Sequence, residues 1–273
     1  MRLAGLGLVV SRARRPPLSF VQPPLYARLR SRISMSALNN VHALMVSMMR
    51  AGRGLFVTSH NRQHPPRPAK ALELYEFEGC PYCRKVREAM SELDLEFINR
   101  TCAKGDETKR ARAVELSGKA QFPLLVDPNT DTVLLESEAI IAYLHEHYGD
   151  GRGLLDIVTS FPSTVAGSMA TAIRPRGLRV RPGFEARSQP DSTLVLYNFE
   201  ASPFCRKVRE TLNELNLDYH VKNVAKGSAR RPEFHELAGR VMVPYLVDPN
   251  QGVAMFESDD IVAYLHTTYG AQD

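Results

Sequence analysis

Residues Glu78-Gly79-Cys80-Pro81-Tyr82-Cys83-Arg84-Lys85-Val86-Arg87 stand between two differently patterned stretches. Before them, Leu72-Glu73-Leu74-Tyr75-Glu76-Phe77 alternates like a half-buried strand. After them, Val86 to Leu93 has helical spacing. Two cysteines therefore sit where a strand hands over to a helix. The unpaired N–H groups and positive dipole end of a helix stabilise an anion. A thiol placed there ionises more readily, and the thiolate is the nucleophile. Pro81 has no N–H to lose and a preset φ, which suits a first helical turn. On this reading Cys80 is the exposed attacking thiol. Cys83, about one turn further on, is the buried resolving thiol, and Arg84 and Lys85 add local positive charge.

The stretch comes back. Glu200-Ala201-Ser202-Pro203-Phe204-Cys205-Arg206-Lys207-Val208-Arg209 follows Leu194-Val195-Leu196-Tyr197-Asn198-Phe199, and Cys83 to Glu88 is identical to Cys205 to Glu210. The chain reads as two copies of one unit, with Ser202 in the place of Cys80.

At 273 residues the chain is long enough for two domains with two separate cores. Hydrophobic residues are 44% and charged residues 24%, a soluble globular composition. Four cysteines (Cys80, Cys83, Cys102, Cys205) are too few for a disulfide-stapled secreted fold, so the C-x-x-C pair reads as a redox site in a reducing compartment. Cys102 and Cys205 lack zinc-ligand spacing, and no metal is expected. Residues 1–70 carry 12 of the 35 Lys and Arg and no Asp or Glu. The rest holds 23 basic and 30 acidic side chains, net −7. No basic, aromatic-studded face points to nucleic acid.

Residues 1–70 read as an Arg-rich leader, a short amphipathic helix over 36–50 and a Pro-rich linker over 60–70. The leader has two readings. One is a mitochondrial or plastid transit peptide. The other, which is preferred, starts translation at Met35 and places the protein in the cytoplasm. No stretch reads as a transmembrane span. Residues 71–149 give strand Leu72–Phe77, helix Cys83–Leu93, strand Leu95–Thr101, helix Glu107–Ser117, strands Leu124–Asp127 and Val133–Leu135, and a helix from Ser137 to His147 with Ser137 as N-cap. Residues 150–191 read as a linker whose Arg174 to Leu178 echoes Arg50 to Leu55. Residues 192–270 repeat the β-α-β-α-β-β-α order.

Cys80-Pro81-Tyr82-Cys83 resembles the active-site motif of dithiol glutaredoxins. The element order, with Phe122-Pro123 and Val243-Pro244 before the third strands, resembles the thioredoxin fold, an α/β class, in tandem. In that fold these prolines are cis. Glu136-Ser137 and Glu257-Ser258 narrow the resemblance, because glutathione transferases carry such a pair before the last helix of their N-terminal domain. Each unit is thus similar to that glutathione-binding domain. The resemblance implies that Phe122 pairs its main chain with the ligand's cysteinyl amide beside Pro123. It also implies that Glu136 faces the amine and that Ser137 takes a carboxylate. Val243, Pro244, Glu257 and Ser258 are the counterparts in the second unit. Ser202-Pro203-Phe204 resembles the motif of serine-type transferases. The all-helical domain that follows in transferases has no counterpart in 150–191 or after Gly270.

The expected activity is glutathione-dependent thiol–disulfide exchange through Cys80 and Cys83, on disulfide or glutathionylated substrates, with the second unit binding glutathione or a partner. One alternative is a glutathione transferase or ligandin using Ser202, and another is a non-catalytic glutathione-binding protein. Cys205 and Cys102 read as packing, Lys104 and Lys226 as solvated loop residues, and His145 and His266 as solvent-facing.

Overall fold

The structure is a computed structural model that describes residues 53–151 and 176–270. The leader, the helix expected over 36–50 and residues 152–175 of the expected linker lie outside the described residues.

Helix α1 (Ser59–Gln63) precedes the first unit. That unit runs β1 (Leu72–Glu76), α2 (Pro81–Glu92), β2 (Phe97–Thr101), α3 (Thr108–Ser117), β3 (Leu124–Asp127), β4 (Thr132–Leu135) and α4 (Ser137–Tyr148). The second repeats it as β5 (Leu194–Asn198), α5 (Pro203–Glu214), β6 (Tyr219–Asn223), α6 (Arg231–Ala238), β7 (Tyr245–Asp248), β8 (Val253–Met255) and α7 (Ser258–Tyr269). These are two tandem thioredoxin-like folds, and both the Phe122-Pro123 and Val243-Pro244 bonds are cis.

The alternation in β1 is read out on two faces of the sheet. Leu72 and Leu74 pack with α2 and α4, while Tyr75 points the other way into a cluster with Cys102, Ala113 and Leu124. Within each unit the first two strands are parallel and the last two antiparallel. The units then join edge to edge. Strands β2 and β6 pair antiparallel, with Phe97 opposite Val221, Ile98 opposite His220 and Asn99 opposite Tyr219. The result is one eight-stranded sheet in the order β4-β3-β1-β2-β6-β5-β7-β8. The junction leaves β2 and β6 with no open edge.

Two separate cores were expected, and one shared core is found. A single buried cluster runs from Leu72, Val86, Met90 and Ile140 to Leu196, Val208, Leu212 and Ile261. Only the clusters beneath α3 and α6 belong to one unit each. The cause is the β2–β6 junction, which sets α2 and α5 side by side over a continuous sheet face.

The segments before each unit do not act as free linkers. Residues 53–57 cross to the second unit, where Val57 donates to the Lys226 carbonyl and Lys226 to that of Leu55, both at 2.9 Å. Residues 177–180 cross to the first, where Lys104 donates to Leu178 and Val180 to Lys104, again at 2.9 Å. The echo of Arg50 to Leu55 in Arg174 to Leu178 is thus a pair of crossed straps over their described parts. The stretch expected as linker over 60–70 contains most of α1, anchored by buried Asn61, whose amide donates to the carbonyls of Leu93 (3.0 Å) and Tyr148 (2.6 Å).

One cooperative unfolding transition follows from the shared core. Leu74→Ala should cost about 2–5 kcal/mol and lower amide-exchange protection in β5 as much as in β1. Separate denaturation midpoints for the two units would contradict this.

Candidate functional site

Strand register brings three loops to one end of the first unit. Cys80 follows the C-terminal end of β1. Leu124 pairs with Tyr75 near that end, so Phe122 and Pro123 lie there too. Leu135 pairs with Leu124, which puts Glu136 and Ser137 at the same end of β4. Two contacts tie these loops: Lys85 of α2 pairs with Glu138 of α4, and Gln121 donates to the Glu136 carboxylate. The second unit gathers Ser202, Val243-Pro244 and Glu257-Ser258 in the same way, with Lys207 paired to Asp259. Because β1 is parallel to β2, β5 to β6, and β2 antiparallel to β6, the two sets lie at opposite ends of the sheet.

Cys80 is the N-cap of α2 in extended conformation, and its Sγ accepts the Cys83 N–H at 3.3 Å. A hydrogen bond from the Cys83 thiol is the main cause that brings the Cys80 thiol below its ordinary range. The N–H groups of Cys83 and Tyr82 add to it, while burial and Glu76 oppose it. Cys83 is held well above the ordinary range by burial first, and then by its bond and proximity to Cys80. The pair is thus split into one thiol eased toward ionisation and one kept protonated. Burial also raises Cys102 well above its range and pushes Cys205 up to about 11.

Two expectations about Cys80 are corrected. It is only 5% exposed, not an exposed thiol, although the neighbouring Tyr82 is 51% exposed. Arg84 and Lys85 do not serve it as bare charge. Arg84 pairs with Glu88 at 3.2 Å and Glu200 at 3.8 Å, and Lys85 with Glu138.

The sequence reading missed what holds the Cys80 loop. Glu78, two residues upstream, is buried and takes Arg206 Nε at 3.1 Å, Arg209 Nε at 2.9 Å and Arg209 Nη2 at 3.1 Å, all from the other unit. Arg87 Nη2 reaches it at 3.1 Å, and Asn213 Oδ1 accepts its N–H at 3.2 Å. These guanidinium groups hold the Glu78 carboxyl far below the usual carboxylate range against the cost of burial. The strap closes on the same loop: a Cβ on Gly79 would lie 2.5 Å from Leu178 Cδ2. The available signal was the identity of Cys83–Glu88 with Cys205–Glu210, whose charges are retained although solvent never meets them.

In the remaining loops, Phe122 lies edge-on to Phe77 at 6.3 Å, with the Arg110 guanidinium 4.7 Å over its ring. Its main chain sits just beyond the end of the β1–β3 register. Ser137 is not the N-cap. That position is Glu136, at φ 70° and ψ 118°, and Glu257 repeats it at φ 67° and ψ 113°. A glutamate with positive φ is uncommon, and such backbones cluster at ligand sites. The turn leaves the glutamate exposed and the following serine buried at the helix start. No described hydrogen bond uses the Ser137 or Ser258 hydroxyl.

In the second unit Ser202 is the N-cap of α5, its Oγ accepting the Cys205 N–H at 3.3 Å, and it is only 4% exposed. Cys205 is buried beneath it. Lys104 and Lys226 expose their side chains but pair their main chains with the straps. The histidines expected to face solvent do not: His145 is buried, and half-buried His266 meets Arg181 Nη1 at 3.0 Å. Among the described residues no His, Cys, Asp and Glu cluster is arranged for a metal, and no helix is long and apolar enough to cross a membrane.

Comparison with known proteins gives two findings. The family model described as "Glutathione S-transferase, N-terminal domain" matches residues 74–152 and again 196–273. Among solved structures, Leishmania TDR1, described as "a unique trimeric glutathione transferase", is similar over 73% of this chain and 68% of its own. The identity is 16% and the TM-score 0.29. No curated protein matches.

The thiol environments predict selective chemistry. Iodoacetamide at neutral pH should label Cys80 and leave Cys83, Cys102 and Cys205 intact, as read by mass spectrometry. They also predict alkaline weakness. Between the ordinary cysteine range near 9 and about 11, the unfolded chain loses a proton that folded Cys205 keeps. Stability is therefore full below that window and falls through it, by at most about 1.4 kcal/mol per pH unit for this group. Urea midpoints measured from pH 8 to 11 should show the fall, and Cys205→Ala should make it shallower, the rest coming from Cys83 and Cys102.

Proposed function

The chain belongs to the glutathione S-transferase N-terminal domain family, and on that premise we propose that it is a glutathione-dependent thiol–disulfide oxidoreductase working through Cys80 and Cys83. The observation that carries the reading is the split thiol pair at a helix start, placed at the same end of the unit as Phe122 and Glu136–Ser137.

The Cys80 thiolate attacks one sulfur of a disulfide or glutathionylated thiol, forms a mixed disulfide and expels the other sulfur as a thiolate. Cys83 then loses its proton and attacks Cys80 Sγ, closing an internal disulfide and releasing the second thiolate. Two glutathione molecules reduce that disulfide and leave as oxidised glutathione, their protons passing to the released thiolates. Alternatively one glutathione resolves the mixed disulfide directly. Glutathione would rest its γ-glutamyl carboxylate on the Ser137 hydroxyl and the N–H groups opening twelve-residue α4. Its amine would face Glu136, and its cysteinyl amide the Phe122 main chain beside Pro123.

In the second unit Val243, Pro244, Glu257 and Ser258 would bind glutathione or dock a partner, without redox chemistry at Ser202. The Ser202 oxygen accepts the Cys205 N–H and keeps its O–H as a donor, so the transferase or ligandin reading is separated by the Ser202→Ala variant below. A cytoplasmic setting, with its reducing thiol pool, fits the proposed cycle.

Reduction of a glutathione–mercaptoethanol mixed disulfide, coupled to glutathione oxidation, tests the proposal. Cys80→Ser should abolish it, Ser202→Ala should leave it unchanged, and Ser137→Ala should raise KM for glutathione roughly tenfold, about 1.4 kcal/mol. Activity surviving in Cys80→Ser defeats the proposal. Conjugation of an electrophile that survives Cys80→Ser but not Ser202→Ala would install the transferase reading. Glutathione binding with no turnover of either kind would leave a binding protein.

A further inference from the structure

We propose that the second unit serves the first as a clamp: Arg206 and Arg209 of α5 are positioning residues that hold Cys80 in its helix-capping geometry through Glu78. The inference rests on the reading of Cys80 as the attacking thiol.

Only Gly79 separates Glu78 from Cys80, so the Glu78 position sets where the Cys80 backbone enters α2. Its carboxylate sits where water does not reach, 1% exposed. A carboxylate there stays where its donors are, because no solvent offers an alternative. Arg209 engages both oxygens, Nε on Oε2 at 2.9 Å and Nη2 on Oε1 at 3.1 Å. Arg206 Nε adds a contact to Oε1 at 3.1 Å. A forked guanidinium fixes orientation as well as distance, which an ammonium does not. Asn213, also on α5, fixes the Glu78 N–H at 3.2 Å.

The first unit supplies one charged contact of its own to this carboxylate, Arg87 Nη2 at 3.1 Å. Most of the grip is therefore foreign to the unit that carries the cysteine pair. The mirror grip exists as well: Glu200 takes Arg87 at 3.1 and 3.2 Å and Arg209 at 3.1 Å. It ends on Ser202, which carries no thiol. Duplication has thus left two clamps, and only the one reaching from the second unit to the first holds a sulfur nucleophile. A second unit without its own attacking cysteine keeps a defined task.

The test uses the full chain and two readouts: the pH midpoint of Cys80 alkylation by iodoacetamide, and kcat and KM for the mixed-disulfide reduction. Arg209→Lys keeps the charge and loses the fork. The clamp predicts that its Cys80 midpoint rises by about one pH unit, a tenfold loss of thiolate below the midpoint. The kcat should fall with KM for glutathione unchanged. Glu78→Gln separates geometry from charge. Removing a nearby negative charge lowers the midpoint by electrostatics alone, whereas loosening the loop raises it.

Thermal unfolding verifies that each variant is folded. If Arg209→Lys is not, Arg206→Lys, which gives up a single contact to Glu78, takes its place with the same expected direction. A folded Arg-to-Lys variant with an unchanged midpoint, or a lowered midpoint in Glu78→Gln, overturns the clamp. A wild-type midpoint at or above the free-cysteine value of about 8.5 overturns instead the functional reading, and the clamp falls with it.

Discussion

The seam between α2 and α5 is closed by charge, and that constraint shapes the rest of the molecule. Arg84, Arg87, Arg206 and Arg209 lie there with Glu76, Glu78, Glu88, Glu200 and Glu210, all buried. Taking the ionised groups out of water costs several kcal/mol each, which close pairing offsets; for Glu76, burial outweighs its arginine and pushes the carboxyl above its ordinary range. Removing one partner leaves the others stranded, typically a loss of about 3–5 kcal/mol. An apolar seam packs at several offsets, whereas forked arginine pairs fit one. The β2–β6 junction sets α2 and α5 side by side, and the forked pairs match only that one register of the two similar units.

The duplication is not symmetric in how well it satisfies its polar groups. In the first unit Arg87 Nη1 bonds Glu76, which also accepts from Asn99. At the matching places the second unit has Asn198 and Val221. Among the described residues Arg209 Nη1 and Asn198 Nδ2 have no hydrogen-bond partner, and they line a cavity of about 10 Å³ between the units. Buried donors left unmade cost about 1–3 kcal/mol each. The Gln121–Glu136 contact has no counterpart either, since Met242 stands at the matching place. Among the described residues the other buried polar atoms without a hydrogen bond are Arg206 Nη1, Tyr219 Oη and His220 Nε2 in the second unit and Asn99 Oδ1 in the first, so the second unit carries most of the loss.

Much of the fold was legible because its signals are local. The alternation in β1, the helical spacing after Cys83 and the prolines before the third strands each depend on a few neighbouring residues. The cis bonds and the tandem thioredoxin-like order appear as expected. What was not legible depends on what covers a surface. The pattern Arg84-Lys85-x-Arg87-Glu88 reads as a solvated helix face, and a single helix cannot reveal that another charged helix lies against it. The burial of Cys80 belongs to the same class of error, since Glu78 is gripped and Gly79 covered by residues nearly a hundred or more positions away. Ser137 was misassigned for a different reason. Serine is a good N-cap, but a positive φ at Glu136 moves the helix start back by one residue.

The direction of the strands limits how the second unit can influence the cysteine pair. Because β1 and β5 run opposite ways, Ser202, Glu257 and Ser258 lie at the far end of the sheet from Cys80. The two sets of loops therefore open at opposite ends of the sheet, while α2 and α5 bring Glu78 to Arg206 and Glu200 to Arg87 between them. What does reach the Cys80 loop from the second unit is α5, through Arg206, Arg209 and Asn213, and the strap, through Gly177 and Leu178. These are direct contacts to the backbone and carboxylate of Glu78 and to Gly79. They join the two candidate sites, and the clamp proposed for Arg206 and Arg209 acts through them. Among the described residues the charged seam, the straps and the β2–β6 pairing all join the two units, and only the seam and the strap touch Glu78 or Gly79.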